Sequence, residues 1–249
     1  MRKSLLDITQ DILNDLDADA VNSINDTIES QQVAQIIRTC YENLIAPRNW
    51  PHLKKIIQLE AADDINKPNY LRVPASIKEV ENIRYDCQKL DEDRIQFKEI
   101  KWKEPDSFLR LVSQRNSTLS TVSTVVDFSG TQLLILNNQH PTYYTSFDDD
   151  YVVFDSYDEA VDSTLKKSKS QCIAYVHPTW EHVDDFIPDL PTEAFPALIE
   201  EAKSTSFVVV KQVANQKAEQ KARKQERWLS RKAWQVKGGI VYPNYGRRR

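Results

Sequence analysis

Thr142-Tyr143-Tyr144-Thr145-Ser146-Phe147-Asp148-Asp149-Asp150-Tyr151-Val152-Val153-Phe154-Asp155 decides how the middle of this chain is read. Aromatic and β-branched residues flank three consecutive acids, which predicts two strands, 142–147 and 151–155, turning at Asp148-Asp149-Asp150. Working outward, Tyr70–Pro74, Ile83–Cys87 and Arg94–Trp102 read as strands, the last with a slip between its Ile95/Phe97 and Ile100/Trp102 alternations. Ser123–Phe128 and Gln132–Leu136 form a second hairpin about Ser129-Gly130, and Gln171–Val176 reads as a last strand. Pro105-Asp106-Ser107 opens a short helix over Phe108, Leu109, Leu111 and Val112. Residues 55–188 are therefore expected to be a β-rich domain.

Both flanks change period. Leu5, Ile8, Ile12, Leu13 and Leu16 recur at helical spacing over residues 3–16. A second helix is expected from near Asp26, with Glu29 completing a capping-box-like pair, through Val33, Ile36, Ile37, Cys40 and Leu44 to Pro47. Residues 1–54 thus read as a helical hairpin. Beyond Pro188 and Pro191, residues 189–237 read as one long helix from Ala194 to Trp234, with Pro196 in its first turn. Its apolar stripe runs Phe207, Val210, Ala214, Ala218, Ala222, Leu229, Ala233 and Val236, although Ser204–Val210 taken alone favours a strand. Gly238-Gly239 ends it, and residues 238–249 form an extended basic peptide. The expected fold is α+β: a helical bundle built from the N-terminal hairpin and the long C-terminal helix, with the β-rich domain inserted.

Charge is divided sharply. From Lys211 onward there are twelve Lys/Arg and two acids, whereas the whole chain has a net charge of −4. Such a segment calls for a partner, because crowded like charges repel. There are four glycines, the first at Gly130, so no Walker loop, dinucleotide fingerprint or nucleophile elbow can be built. Cys40, Cys87 and Cys172 form no CxxC and read as buried free thiols. The longest apolar run, Cys172–Val176, is far below the ~18 residues of a membrane span. Asp7 and Asp11, within a helical pattern, argue against a signal peptide at Met1-Arg2-Lys3-Ser4.

No constellation reads as a catalyst or cofactor site. His177 and His182 are interrupted by Pro178 and lack metal-ligand spacing. Asp148, Asp149, Asp150 and Asp155 lack the central Gly and distant Glu of a calcium loop and read as a charged hairpin tip. The basic segment interleaves Lys/Arg with Trp228, Trp234, Tyr242 and Tyr245. That pattern suits phosphate contacts with stacking or a protein-docking anchor. A merely solvated helix face is weakened by the shortage of acids for i, i+4 pairs. Protein docking fits best, with nucleic-acid binding the alternative.

The ordered whole resembles the adaptor (head-to-tail connector) proteins of short-tailed bacteriophages, the tail tubular protein A-like family. The likeness rests on Asp26-Thr27-Ile28-Glu29-Ser30 leading to Pro47-Arg48-Asn49-Trp50-Pro51, on Pro141–Asp150 with Val152–Asp155, and on Leu190-Pro191 before the Ala/Lys/Gln-rich helix and basic peptide. It covers most of the chain. The resemblance implies a non-enzymatic virion protein, assembled in the host cytoplasm, that forms a ring, usually of twelve copies, beneath the portal. Its implied partners are the portal protein, a tubular protein B-like tail nozzle, tail fibre proteins and the genomic DNA passing through, with no cofactor, metal or membrane. Portal docking would fall to Trp228, Arg231, Trp234, Tyr242, Tyr245, Arg247, Arg248 and Arg249. Tyr143, Tyr144, Phe147, Asp148, Asp149 and Asp150 would face the nozzle or a neighbouring subunit. An acidic body suits a DNA conduit, since like charge discourages static binding.

Overall fold

The computed structural model describes residues 2–62, 64–89 and 94–231. The chain opens with α1 (Leu5–Asp15), capped by a reciprocal pair in which Asp7 N–H donates to Ser4 Oγ and Ser4 N–H to the Asp7 carboxylate, both at 3.1 Å. Leu5, Ile8, Ile12 and Leu13 form its buried face. In α2 (Ile28–Ile45) the capping box is made by Thr27 and Ser30, not by Asp26 and Glu29. Asp26 instead accepts the N–H groups of Asn22 and Ser23 at 2.7 and 2.9 Å and ties down the loop before the helix. Val33, Ala34, Ile37, Cys40, Tyr41 and Ile45 line the buried side of α2.

The β-rich part begins with β1 (Lys54–Ile57), β2 (Glu60–Ala61), β3 (Tyr70–Arg72), β4 (Ile77–Asp86) and β5 (Phe97–Trp102). A crossover follows, containing α3 (Pro105–Ser113) and a separate antiparallel hairpin of β6 (Val122–Val126) and β7 (Gln132–Leu136). Gly130 turns that hairpin at φ 83°, a region an L side chain rarely adopts. Then come β8 (Tyr143–Thr145), β9 (Tyr151–Phe154) and β10 (Ser170–Val176). Eight strands join one curled sheet in the order β1-β10-β4-β5-β8-β9-β3-β2. Every neighbouring pair is antiparallel except β5–β8, whose parallel pairing is what the long crossover permits. Register shifts between β10 and β4, at Ile173/Ala174 and Tyr175/Val176, add local twist. Leu71, Ile83, Phe108, Ile135, Phe154 and Cys172 sit at the centre of this core.

The chain ends, within the described residues, in α4 (Phe195–Lys211) and α5 (Gln216–Arg231). Ser204–Val210 is helical despite its β-branched residues, and Ser206 Oγ donates to Ala202 O at 2.7 Å inside α4. The helix stops because Gln212 takes φ 54°, ψ 27°, and α5 packs back along α4.

The expected helical bundle with an inserted β-rich domain is therefore corrected. Among the described residues, five helices accompany a large eight-stranded mixed sheet, and the architecture is mainly β-rich. Two physical facts account for the difference. In this structure the expected single C-terminal rod is broken at Gln212 into α4 and α5. The sheet also recruits β1, β2 and the first half of β4, whose short or alternating patterns carry little apolar signal. By contacts the chain divides into two compact units, one of residues up to Leu53 together with those from Pro178, the other Lys54–His177.

Candidate functional site

The acidic tip is a built turn. Asp148 Oδ1 accepts from the N–H groups of Asp150 and Tyr151 at 3.2 and 3.0 Å, an Asx-type arrangement. Asp149 takes φ 63°, and its N–H donates to Ser146 Oγ, which donates in turn to Tyr151 O at 2.7 Å. Asp148, Asp149 and Asp150 are exposed. Asp155 is not with them. It is 2% exposed, and its Oδ1 accepts the N–H groups of Thr142 and Tyr143 at 2.9 and 2.8 Å. Its Oδ2 pairs with Arg115 at 3.1 Å, and Arg115 also donates to Leu134 O and to Asp155 O. Burial pushes the Arg115 guanidinium down from its ordinary range, and Asp155 pushes it back up. Among the described residues no group of three His, Cys, Asp or Glu is placed to hold a metal ion.

The aromatic members of the hairpin have three different surroundings. Tyr143 is half-buried beneath the Lys103 ammonium, 4.5 Å from its ring centroid. Tyr144 is buried, packed edge-on to Trp102 at 5.2 Å and tilted against Phe154 at 6.3 Å. Phe147 is exposed on one side and meets Phe108 edge-on at 6.2 Å. The parallel pairing Trp102↔Tyr144 carries the indole of Trp102, 52% exposed, to a cleft of about 600 Å³. Val73, Ile77, Val80, Val152 and Asp149 also line it. Sequence reading missed this cleft. Ile100 and Trp102 share a face of β5, Ile100 buried in its middle and Trp102 52% exposed at its end, so the alternation alone carried no mark of the cleft.

In the helical unit, Trp228 lies on α5 and is 42% exposed, over a shallow depression shared with Glu193, Pro196 and Lys224. Arg231 is the last residue of α5. Trp234, Tyr242, Tyr245, Arg247, Arg248 and Arg249 lie outside the described residues, as do the helix end at Gly238-Gly239 and the peptide beyond it. Cys40, Cys87 and Cys172 are free and buried; burial raises Cys40 to about 11 and Cys172 to about 12. Such thiols are poor nucleophiles at neutral pH. No helix among the described residues is long and apolar enough to cross a membrane.

Among the described residues the geometry thus offers two exposed tryptophan surfaces, one in each compact unit, with an acidic turn beside the first and Glu193 and Lys224 beside the second. Comparison with known proteins gives no matching family model and no match among curated proteins.

Proposed function

We propose that this protein is a structural adaptor, a head-to-tail connector of a short-tailed phage, residing in the virion at the portal vertex. Copies of it form a ring that joins the portal to the tail nozzle and continues the DNA channel. The observation that carries the reading is the pair of separate aromatic surfaces. A connector must grip two partners, and Trp, Tyr and Arg are the residues that anchor protein interfaces. Trp228 on α5, continued by the basic segment from Lys232, supplies the portal-side anchor. The Trp102 cleft and the Asp148–Asp150 turn supply the nozzle-side or neighbour-side platform. Repeating a weak anchor around a ring multiplies it into firm attachment.

Electron microscopy of the protein mixed with its cognate portal, alongside a chain truncated after Gln235, tests this. A symmetric ring on the portal that needs the intact segment is the expected result. If the intact chain forms no portal complex but binds DNA with affinity that falls steeply as salt rises, the basic segment is a phosphate binder and the adaptor reading is lost.

A further inference from the structure

Four residues, Gln212-Val213-Ala214-Asn215, join α4 to α5, and none is Gly or Pro. The bend is made by Gln212 in the left-handed region at φ 54°, which a residue bearing a Cβ enters only at a cost. Val213 N–H donates back to Phe207 O at 3.2 Å, and Asn215 Oδ1 accepts Ala218 N–H at 3.1 Å to cap α5. Straightening Gln212 would give these four residues the same helical hydrogen bonding as their neighbours. Residues from Phe195 to Arg231 would then form one uninterrupted helix.

The seat of α5 is narrow. Among its described side chains only Ala218, Ala222 and Leu229 are buried. A solvent-open groove of about 230 Å³ runs beside α5, bordered by Leu44, Ala197, Leu198 and Ala222, so this flank of the helix is not enclosed by its neighbours. Two exposed ion pairs, Lys221–Glu200 at 2.8 Å and Arg48–Glu226 at 3.3 Å, bridge the helices and hold only weakly. At the bend, Val208, Val209 and Val213 are 52%, 55% and 59% exposed, an apolar cluster facing solvent.

We propose that the α4–α5 hairpin opens into one helix and that α5 of one copy seats on the α2–α4 groove of a second copy. The receiving groove is the one α5 already occupies within its own chain, so the exchanged interface repeats contacts present in the closed form. Leu44, Ala197 and Leu198 meet the Ala218/Ala222/Leu229 stripe, while Glu200 and Arg48 meet Lys221 and Glu226 of the incoming helix. Exchange of an identical element is a low-cost route to association, and a head-to-tail exchange closes into a ring where its rotation permits. In the open helix, Val209 and Val213 stand four residues apart on one face, ready to pack against the neighbour. None of this requires a portal, so the proposal stands apart from the connector reading.

The test uses the full chain carrying Glu200→Cys and Lys221→Cys, joined by a short bis-maleimide, with the parent chain as control for its buried cysteines. At rising protein concentration, bridges between chains should appear as multimers on denaturing gels. Bridging first at high dilution should lock the hairpin shut and abolish association in sedimentation. Gln212→Gly relieves the bend and interrupts the long helix, so multimers should fall roughly tenfold. Asn215→Ala removes the cap of the closed form, so they should rise about fivefold. Bridges found only within chains at every concentration, or association indifferent to the locked bridge and to Gln212→Gly, overturns the exchange. A portal-bound ring containing only intrachain bridges overturns it as well, while leaving the connector reading intact.

Discussion

Asp155 and Arg115 fix the base of the acidic hairpin. The carboxylate is almost wholly buried, accepts two backbone N–H groups from the start of β8, and meets a guanidinium that also holds two backbone carbonyls. Burying both charges is costly, so the pair adds little net stability compared with an apolar filling, but removing one partner strands the other. Arg115→Met should therefore destabilise the β-rich unit by about 3 kcal/mol, measured by urea denaturation. Asp155→Leu added to Arg115→Met should recover part of that loss. A single substitution costing under about 0.5 kcal/mol would mean that the two hydrogen-bonded N–H groups suffice and that the ion pair is incidental. Nothing in the sequence distance of forty residues signals this partnership, and the Asp155 side chain reads there as one more acid of the tip.

At the scale of elements, what was legible was what is encoded locally. The hairpin at 142–155, the helix opened by Pro105 and the helical start at Leu5 are fixed by side chains within a few residues of one another. The Thr27–Ser30 cap shows the limit of such reading, since Asp26 and Glu29 offer equally plausible chemistry and only the path of the preceding loop chooses between them. Gln212 shows it more severely. Neither Gly nor Pro marks the break, and the closed hairpin is favoured by packing along α4 that no local pattern contains. The acidic turn allows a direct test of local strain. Asp149 sits at φ 63°, where the left-handed region costs a residue with a Cβ about 1 kcal/mol. Asp149→Gly should keep the Asp148 and Ser146 bonds and stabilise the β-rich unit by about 0.5–1 kcal/mol. Thermal unfolding should move up by a few degrees. A drop in its midpoint would show that the Asp149 carboxylate contributes to the turn beyond its backbone shape.

At the scale of the whole molecule, the Trp102 cleft and the sheet order were illegible for one reason: both depend on pairings distant in sequence. The strand β5 finds β8 only after a crossover of some forty residues, and β1 finds β10 across most of the unit. That last pairing has a consequence for how the chain is organised. Lys54 lies opposite Tyr175 in neighbouring antiparallel strands, so the polypeptide enters and leaves the β-rich unit at adjacent points. Entry and exit side by side, with a core centred on Phe108, Ile135 and Phe154, are what a unit needs to fold without the rest of the chain. Residues 54–177 expressed alone should therefore be monomeric and unfold in one cooperative urea transition, with a slope of about 1–3 kcal/mol per molar. Joining Leu53 to Pro178 through a short linker should likewise leave α1, α2, α4 and α5 folded, since the gap to be closed is only the spacing of two paired strands. An isolated 54–177 that binds a hydrophobic dye and lacks near-ultraviolet dichroism would show that its sheet depends on the helical unit.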